Sequence, residues 1–179
     1  MAGKCTTLDQ TSTALAATAT EVNSNTTLTN DIRAKLKGDY MVSKPGLAIG
    51  STNTAVSNAA FTYQIGGVQY SKAAVAAGTA PGNDVVPQST YGAVAFDIGA
   101  DGTIDAIEAA DNATGYASAA LAIAGIPAAA ADHARMGTVT ATKSDGDFTF
   151  GTTALDAANT TVAYTDGDTA FEAIGSAIS

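Results

Sequence analysis

Residues 97–108, "DIGADGTIDAIE", admit two readings that lead to different folds. On the twelve-residue template of a helix–loop–helix calcium site, acids fall at positions 1, 5 and 9, glycine at 6 and glutamate at 12. Asp97, Asp101, Asp105 and Glu108 are therefore the candidate cation ligands. Position 3 is Gly99, which brings no side-chain oxygen. The preceding segment "YGAVAFDI" (91–98) alternates with period two instead of running as a helix, and Asp111-Asn112 cuts the following one short. The same letters make a β-hairpin with Ala100-Asp101-Gly102-Thr103 at its tip. Asp-Gly is a favoured type I′ pair, and Ile98 and Ile104 then flank the tip on one buried face. The hairpin is the stronger reading, and it makes the chain a β protein.

Working outward, "FTYQIGGVQYSK" (61–72) puts Phe61, Tyr63 and Ile65 on one face, turns at Gly66-Gly67 and resumes with Val68 and Tyr70, a hairpin signal. Residues 73–86, with Pro81-Gly82-Asn83-Asp84, read as a loop. Val94, Phe96 and Ile98 share a face. "GYASAALAIAG" (115–125) has helical composition, with Thr114 or Ser118 to cap it and Leu121 to face a sheet. "MGTVTATK" (136–143) and "DFTF" (147–150) read as strands around Ser144-Asp145-Gly146, and "NTTVAYTD" (159–166) as the last strand. Six to eight short strands and one or two helices predict a mainly β fold: a compact antiparallel β-sandwich-like body over 45–165 with one short helix across it, followed by a tail, 166–179.

The first 44 residues differ. Leu8, Leu15 and Val22 recur every seven residues among alanine and threonine, too weak a seam for an independent coiled coil. Leu28, Ile32 and Leu36 follow at helical spacing, with Thr29 or Asn30 as N-cap and Gly38 as stop. Lys44-Pro45-Gly46 marks the boundary. The expectation is an extended, partly helical arm that orders on a partner, with these six apolar residues as its contact candidates.

Composition narrows the function classes. The net charge of −9 is unevenly placed: residues 1–44 hold five basic and four acidic side chains, residues 45–179 three and thirteen. An acidic body is repelled by phosphate, which argues against nucleic acid as a partner. The alanine-rich run 117–131 is broken by Gly125 and Pro127, which argues against a membrane span. The N-terminus lacks the pattern of a secretion signal, so synthesis in a cytoplasm is expected, and the sequons at Asn25, Asn112 and Asn159 read as chance. One cysteine, Cys5, and one histidine, His133, cannot build a Cys/His metal site, and no cofactor is expected. His133 beside Asp132 is not a catalytic pair, no GxSxG elbow is present, and Asp145/Asp147 and Asp166/Asp168 read as solvated turns. Few aromatics and small side chains limit the core, which favours packing on a partner.

The order of motifs is itself informative. "KPGLAIGSTNTAVSNAAFTYQIGGVQYSKAA", then "YGAVAFDIGADGTIDAIEA", then "NATGYASAALAIAGIPAAAADHARMGTVTA" resembles a family of tailed-bacteriophage and prophage structural proteins found with head genes. Gly67, Tyr70, Lys72, Gly92, Asp101, Gly102, Pro127, His133, Met136 and Gly137 carry the resemblance, over about residues 45–165. It implies a non-enzymatic virion protein on the capsid exterior: a decoration (cement) protein, or the base of a head fibre. The implied partners are the major capsid protein and further copies of the chain, usually as a homotrimer. Two alternatives stand beside it: a fibre component that contacts host glycans through exposed aromatics such as Tyr91 or Tyr116, and a calcium-binding bacterial surface module.

Overall fold

The computed structural model describes residues 37–169, together with Ala19, Val22, Asn23, Asn25, Thr26 and Thr29. The chain divides into two units, Met1–Lys37 and Gly38–Ser179, so the β body begins ahead of the Lys44-Pro45-Gly46 punctuation expected to mark it. The described residues of the first unit are helical, not extended. Threonine is accommodated there because its hydroxyl turns back onto the helix: Thr26 Oγ1 donates to the Val22 carbonyl and Thr29 Oγ1 to that of Asn25, at 2.8 and 2.7 Å. Thr29 is thus inside a helix, not its N-cap. Val22 is exposed, whereas Leu8, Leu15, Leu28, Ile32 and Leu36 lie outside the described residues.

The second unit contains, in order, β1 (Tyr40–Met41), β2 (Ala48–Ile49), β3 (Val56–Asn58), β4 (Phe61–Ile65), β5 (Val68–Lys72), β6 (Val75–Thr79), β7 (Val85–Val86), β8 (Tyr91–Gly99) and β9 (Ile104–Glu108), then helix α1 (Ala119–Ala124), β10 (His133–Lys143), β11 (Phe148–Thr149) and β12 (Thr160–Asp166). The central sheet has the order β12-β10-β8-β9, and every pairing in it is antiparallel. A three-stranded sheet, β1-β4-β5, supplies the opposing layer. Smaller sheets β2-β3-β6 and β11-β7 complete the body. The fold is mainly β and sandwich-like, as the alternation predicts.

Period-two side chains make the core between these layers. Phe61, Tyr63 and Ile65 meet Val94, Phe96 and Ile98, joined by Met41, Val86, Val139, Phe148 and Phe150. Gly66 and Gly67 both take positive φ (58° and 86°) and connect Ile65 to its partner Val68, the two-residue turn that the Gly-Gly pair predicts. The reverse face of β8 carries Ala93 and Ala95, over which α1 lies, its N-cap Ser118 accepting from the Leu121 N–H. Ala122 is the fully buried residue of that helix, and Leu121 is 55% exposed instead of facing the sheet. An alanine-lined sheet face takes an alanine, because only small side chains let helix and sheet approach.

Two further expectations change. The stretch read as a loop, 73–86, contains β6 and β7; β6 pairs with β3 and β7 with β11. β10 also starts three residues earlier than "MGTVTATK", at His133, and carries a bulge: Arg135 pairs with Asp97 and Gly137 with Phe96, leaving Met136 as the extra residue, buried in the core.

Candidate functional site

The opening stretch folds as β8–β9. Ile98 pairs with Ile104 and Asp97 with Asp105, and both isoleucines belong to the core face. The turn differs from the type I′ expected. Gly102 N donates to Gly99 O at 3.0 Å, Gly99 N donates to Thr103 O at 3.1 Å, and only Gly102 has positive φ (78°). This is a three-residue connection, a type I turn closed by a glycine bulge. Asp101 earns its place otherwise: its Oδ1 accepts from Thr103 N and its Oδ2 from Thr103 Oγ1, at 2.9 and 2.8 Å. Those hydrogen bonds lower its pKa. The tip is held against the neighbouring sheet by Tyr63, whose hydroxyl donates to Gly99 O at 3.1 Å, and by Lys72, whose Nζ donates to Gly102 O at 2.6 Å.

The four candidate cation ligands diverge. Strand alternation places Asp97 and Asp105 on the helix-covered face and Glu108 on the opposite one, since Glu108 pairs with Val94. Glu108 Oε1 accepts from the backbone N–H groups of Asn83 and Asp84, both at 2.7 Å. Asp97, 1% exposed, takes a two-pronged contact from Arg135: Nε to Oδ1 at 2.7 Å and Nη2 to Oδ2 at 3.0 Å. The same guanidinium donates to Pro127 O at 2.8 Å, fixing the segment that follows α1. A calcium loop needs its oxygens convergent on one point; here they hold two separate stretches of backbone, at Thr103 and at Asn83-Asp84, and two side chains of β10, Arg135 and His133.

His133 is not a bystander. It pairs with Gly99 across β10–β8, and its Nε2 sits 3.4 Å from Asp105 Oδ2, while Nδ1 lies 2.9 Å from the Ala131 carbonyl. The contact with Ala131, followed by the carboxylates of Asp105 and Asp97, raises the imidazole pKa against its desolvation. Both ring nitrogens are therefore engaged. The sequence reading missed this pair because His133 and Asp105 are far apart in the chain and meet only through the glycine between them in the sheet.

Three of the four remaining singled-out acids also cap backbone or side chains. Asp166 Oδ1 accepts from Leu47 N, Asp147 Oδ1 from Gln88 N, and Asp145 binds Lys143 Nζ and Asn159 Nδ2. A groove of about 430 Å³ runs along β1, β10 and β12, bordered by Asp39, Tyr40, Thr138, Asp166 and Asp168. Two of these carboxylates are committed, Asp166 as above and Asp39 to Gly66 N. Tyr91 and Tyr116 are not exposed loop-tip aromatics: they exchange backbone hydrogen bonds, pack half-buried on the alanine face, and Tyr116 Oη accepts from Asp111 N. Asn112 is fully buried, with its amide paired to both backbone groups of Ala93. Among the described residues, no buried side-chain nitrogen or oxygen lacks a partner.

The residues behind the family resemblance occupy architectural positions: Gly67 in the β4–β5 turn, Tyr70 stacked on Tyr63 at 5.5 Å, Lys72 and Gly102 at the clamp, Pro127 under Arg135, and Met136-Gly137 at the bulge. No family model, curated protein or solved structure matches the chain.

Proposed function

We propose that the chain is a non-enzymatic structural protein of a bacteriophage virion, bound to the capsid exterior as a decoration protein. The observation that supports this reading is the surface around α1. From residue 117 to 131 the chain carries no charge and only one hydroxyl, Ser118, yet Leu121 and Ile123 are 55% and 39% exposed. An apolar, charge-free surface on a chain of net charge −9 is suited to lying on another protein. The polar side chains that a reaction centre would draw on are spent on holding loops, which also favours an assembly role. The partner is the major capsid protein, and the N-terminal unit adds a second means of attachment.

The test is co-sedimentation of the full chain with purified capsid shells, compared with L121D and I123D variants, whose exposed positions leave the core untouched. The expected result is saturable binding that the aspartates weaken about tenfold or more, roughly 1.4 kcal/mol or above. Absence of binding to shells overturns the proposal. The glycan-contact alternative loses its motivating aromatics, now half-buried.

A further inference from the structure

We infer that β12 is a self-pairing edge, joining two copies of the chain through an antiparallel β12–β12 contact about a two-fold axis at Ala163. The inference is independent of the capsid reading. β12 hydrogen-bonds to β10 on one side, and among the described residues no strand covers its other side. Free edges of natural sheets are blunted by charges, proline, bulges or shortness. The other edges here follow that rule. β9 carries Asp105 and Glu108, and β5 ends in Lys72. β1 and β2 have two residues each, while β6 is bent by Gly78 at φ 87° and its Ala76 carbonyl already takes the Ser51 N–H. β12, "TTVAYTD", has seven residues with strong strand preference, no bulge in its pairing and no charge before Asp166.

The sequence of the strand says what fits against it. About Ala163 it is nearly palindromic: Thr161 meets Thr165 of the second copy, Val162 meets Tyr164, and Thr160 meets Asp166. These are the hydroxyl and aromatic–β-branched combinations that cross-strand pairing favours. The faces agree as well. Val162 and Tyr164 are half-buried on the core side, so pairing continues two cores into one layer, while Thr161, Ala163 and Thr165 stay together on the other side. Two copies of net charge −9 repel in general, but this joint keeps its only carboxylates apart. The two Asp166 side chains fall at opposite ends, about 20 Å from one another at ~3.4 Å per residue, beyond a Debye length of about 8 Å. The resulting eight-stranded sheet is continuous across the axis, a two-fold contact and not the three-fold one implied by the family resemblance.

The experiment uses the full chain, with its mass followed by sedimentation over a wide concentration range. The wild type is expected to be dimeric, and A163K monomeric with an unchanged circular dichroism spectrum, because Ala163 is exposed and the introduced lysines face each other only at the axis. Register is read by a charge pair. T161K/T165E places opposite charges across the joint twice and restores association, whereas T161K/T165K, also at exposed positions, abolishes it. A wild type that is monomeric throughout, an oligomer that A163K leaves intact, or equal association of the two double variants overturns the inference.

Discussion

His133 reaches Asp105 across Gly99. The imidazole Nε2 stands 3.4 Å from the Asp105 carboxylate, and a Cβ added to Gly99 would come within 3.2 Å of that nitrogen and 3.1 Å of Asp101 Oδ1. The residue that leaves a calcium loop without a ligand is thus the one that makes room for a histidine–aspartate contact between strands not adjacent in the sheet. With Nδ1–H donated to Ala131, the neutral ring turns its bare nitrogen toward a carboxylate, and protonation converts that opposition into an ion pair.

Stability should therefore depend on the charge of His133. Its pKa is raised in the folded chain, first by the Ala131 carbonyl and then by Asp105 and Asp97. The stabilisation is fully present below the unfolded value and is lost as pH rises through the folded one. Between about pH 5.5 and 8 the melting temperature should fall by on the order of 1–2 °C, a small effect because both groups are partly solvated. H133N should flatten that slope. At acid pH the lowered pKa values of Asp101 and Asp145 act oppositely, withdrawing stability as pH falls through them.

Restoring an oxygen at the empty position should not create a calcium site. G99D places a carboxylate beside Asp97 and Asp105, but Glu108 remains on the other face of β9, bonded to the 83–84 backbone. Calorimetry with calcium should give no saturable heat. The crowding at His133 and Asp101 should instead lower the urea midpoint.

The Arg135–Asp97 contact is the most expensive polar feature to break. Asp97 is buried while the arginine is partly exposed, so R135A should destabilise by about 2–4 kcal/mol, toward the lower end of the cost of orphaning a buried charge. R135K keeps the charge but not the fork and should fall between the two in chemical denaturation.

Asn112 should behave as a surrogate strand residue. It offers Ala93 a donor and an acceptor where β9 has ended; N112A leaves the buried Ala93 N–H unpaired while Ala93 O keeps the Ala109 N–H, at a cost of about 1–3 kcal/mol. Amide hydrogen exchange at Ala93 should accelerate more than at Ala95, which faces the same side of β8 and keeps its partner Ile107 in β9.

How far the sequence discloses this structure depends on side-chain size. Phe61, Tyr63, Ile65, Val94, Phe96 and Ile98 announce their faces because a bulky apolar residue at period two has one place to go. β6 is silent because Val75-Ala-Ala-Gly-Thr offers small residues and a glycine, and its strand character comes from pairing with β3. Leu121 misleads for a related reason: helix register here is set by the alanine face beneath, which selects Ala122. The candidate site was legible as residues but not as partners. Asp97, Asp101, Asp105 and Glu108 stand together in sequence, and the pleat separates them. His133 and Arg135 complete the cluster from β10, a strand that no local spacing connects to them.

The Met136 bulge gives β10 a tolerance to changes in length. Ten residues of β10 lie against nine of β8, with His133 facing Gly99 and Thr142 facing Tyr91. Removing Met136 would leave a regularly alternating strand with every other side chain on its present face. Removing a residue from the regular run 138–142 would turn the strand over on one side of the gap. A related chain shorter by one residue in β10 is thus expected to have lost it at the bulge, and that is the place at which the sheet can be trimmed or extended without being rewritten.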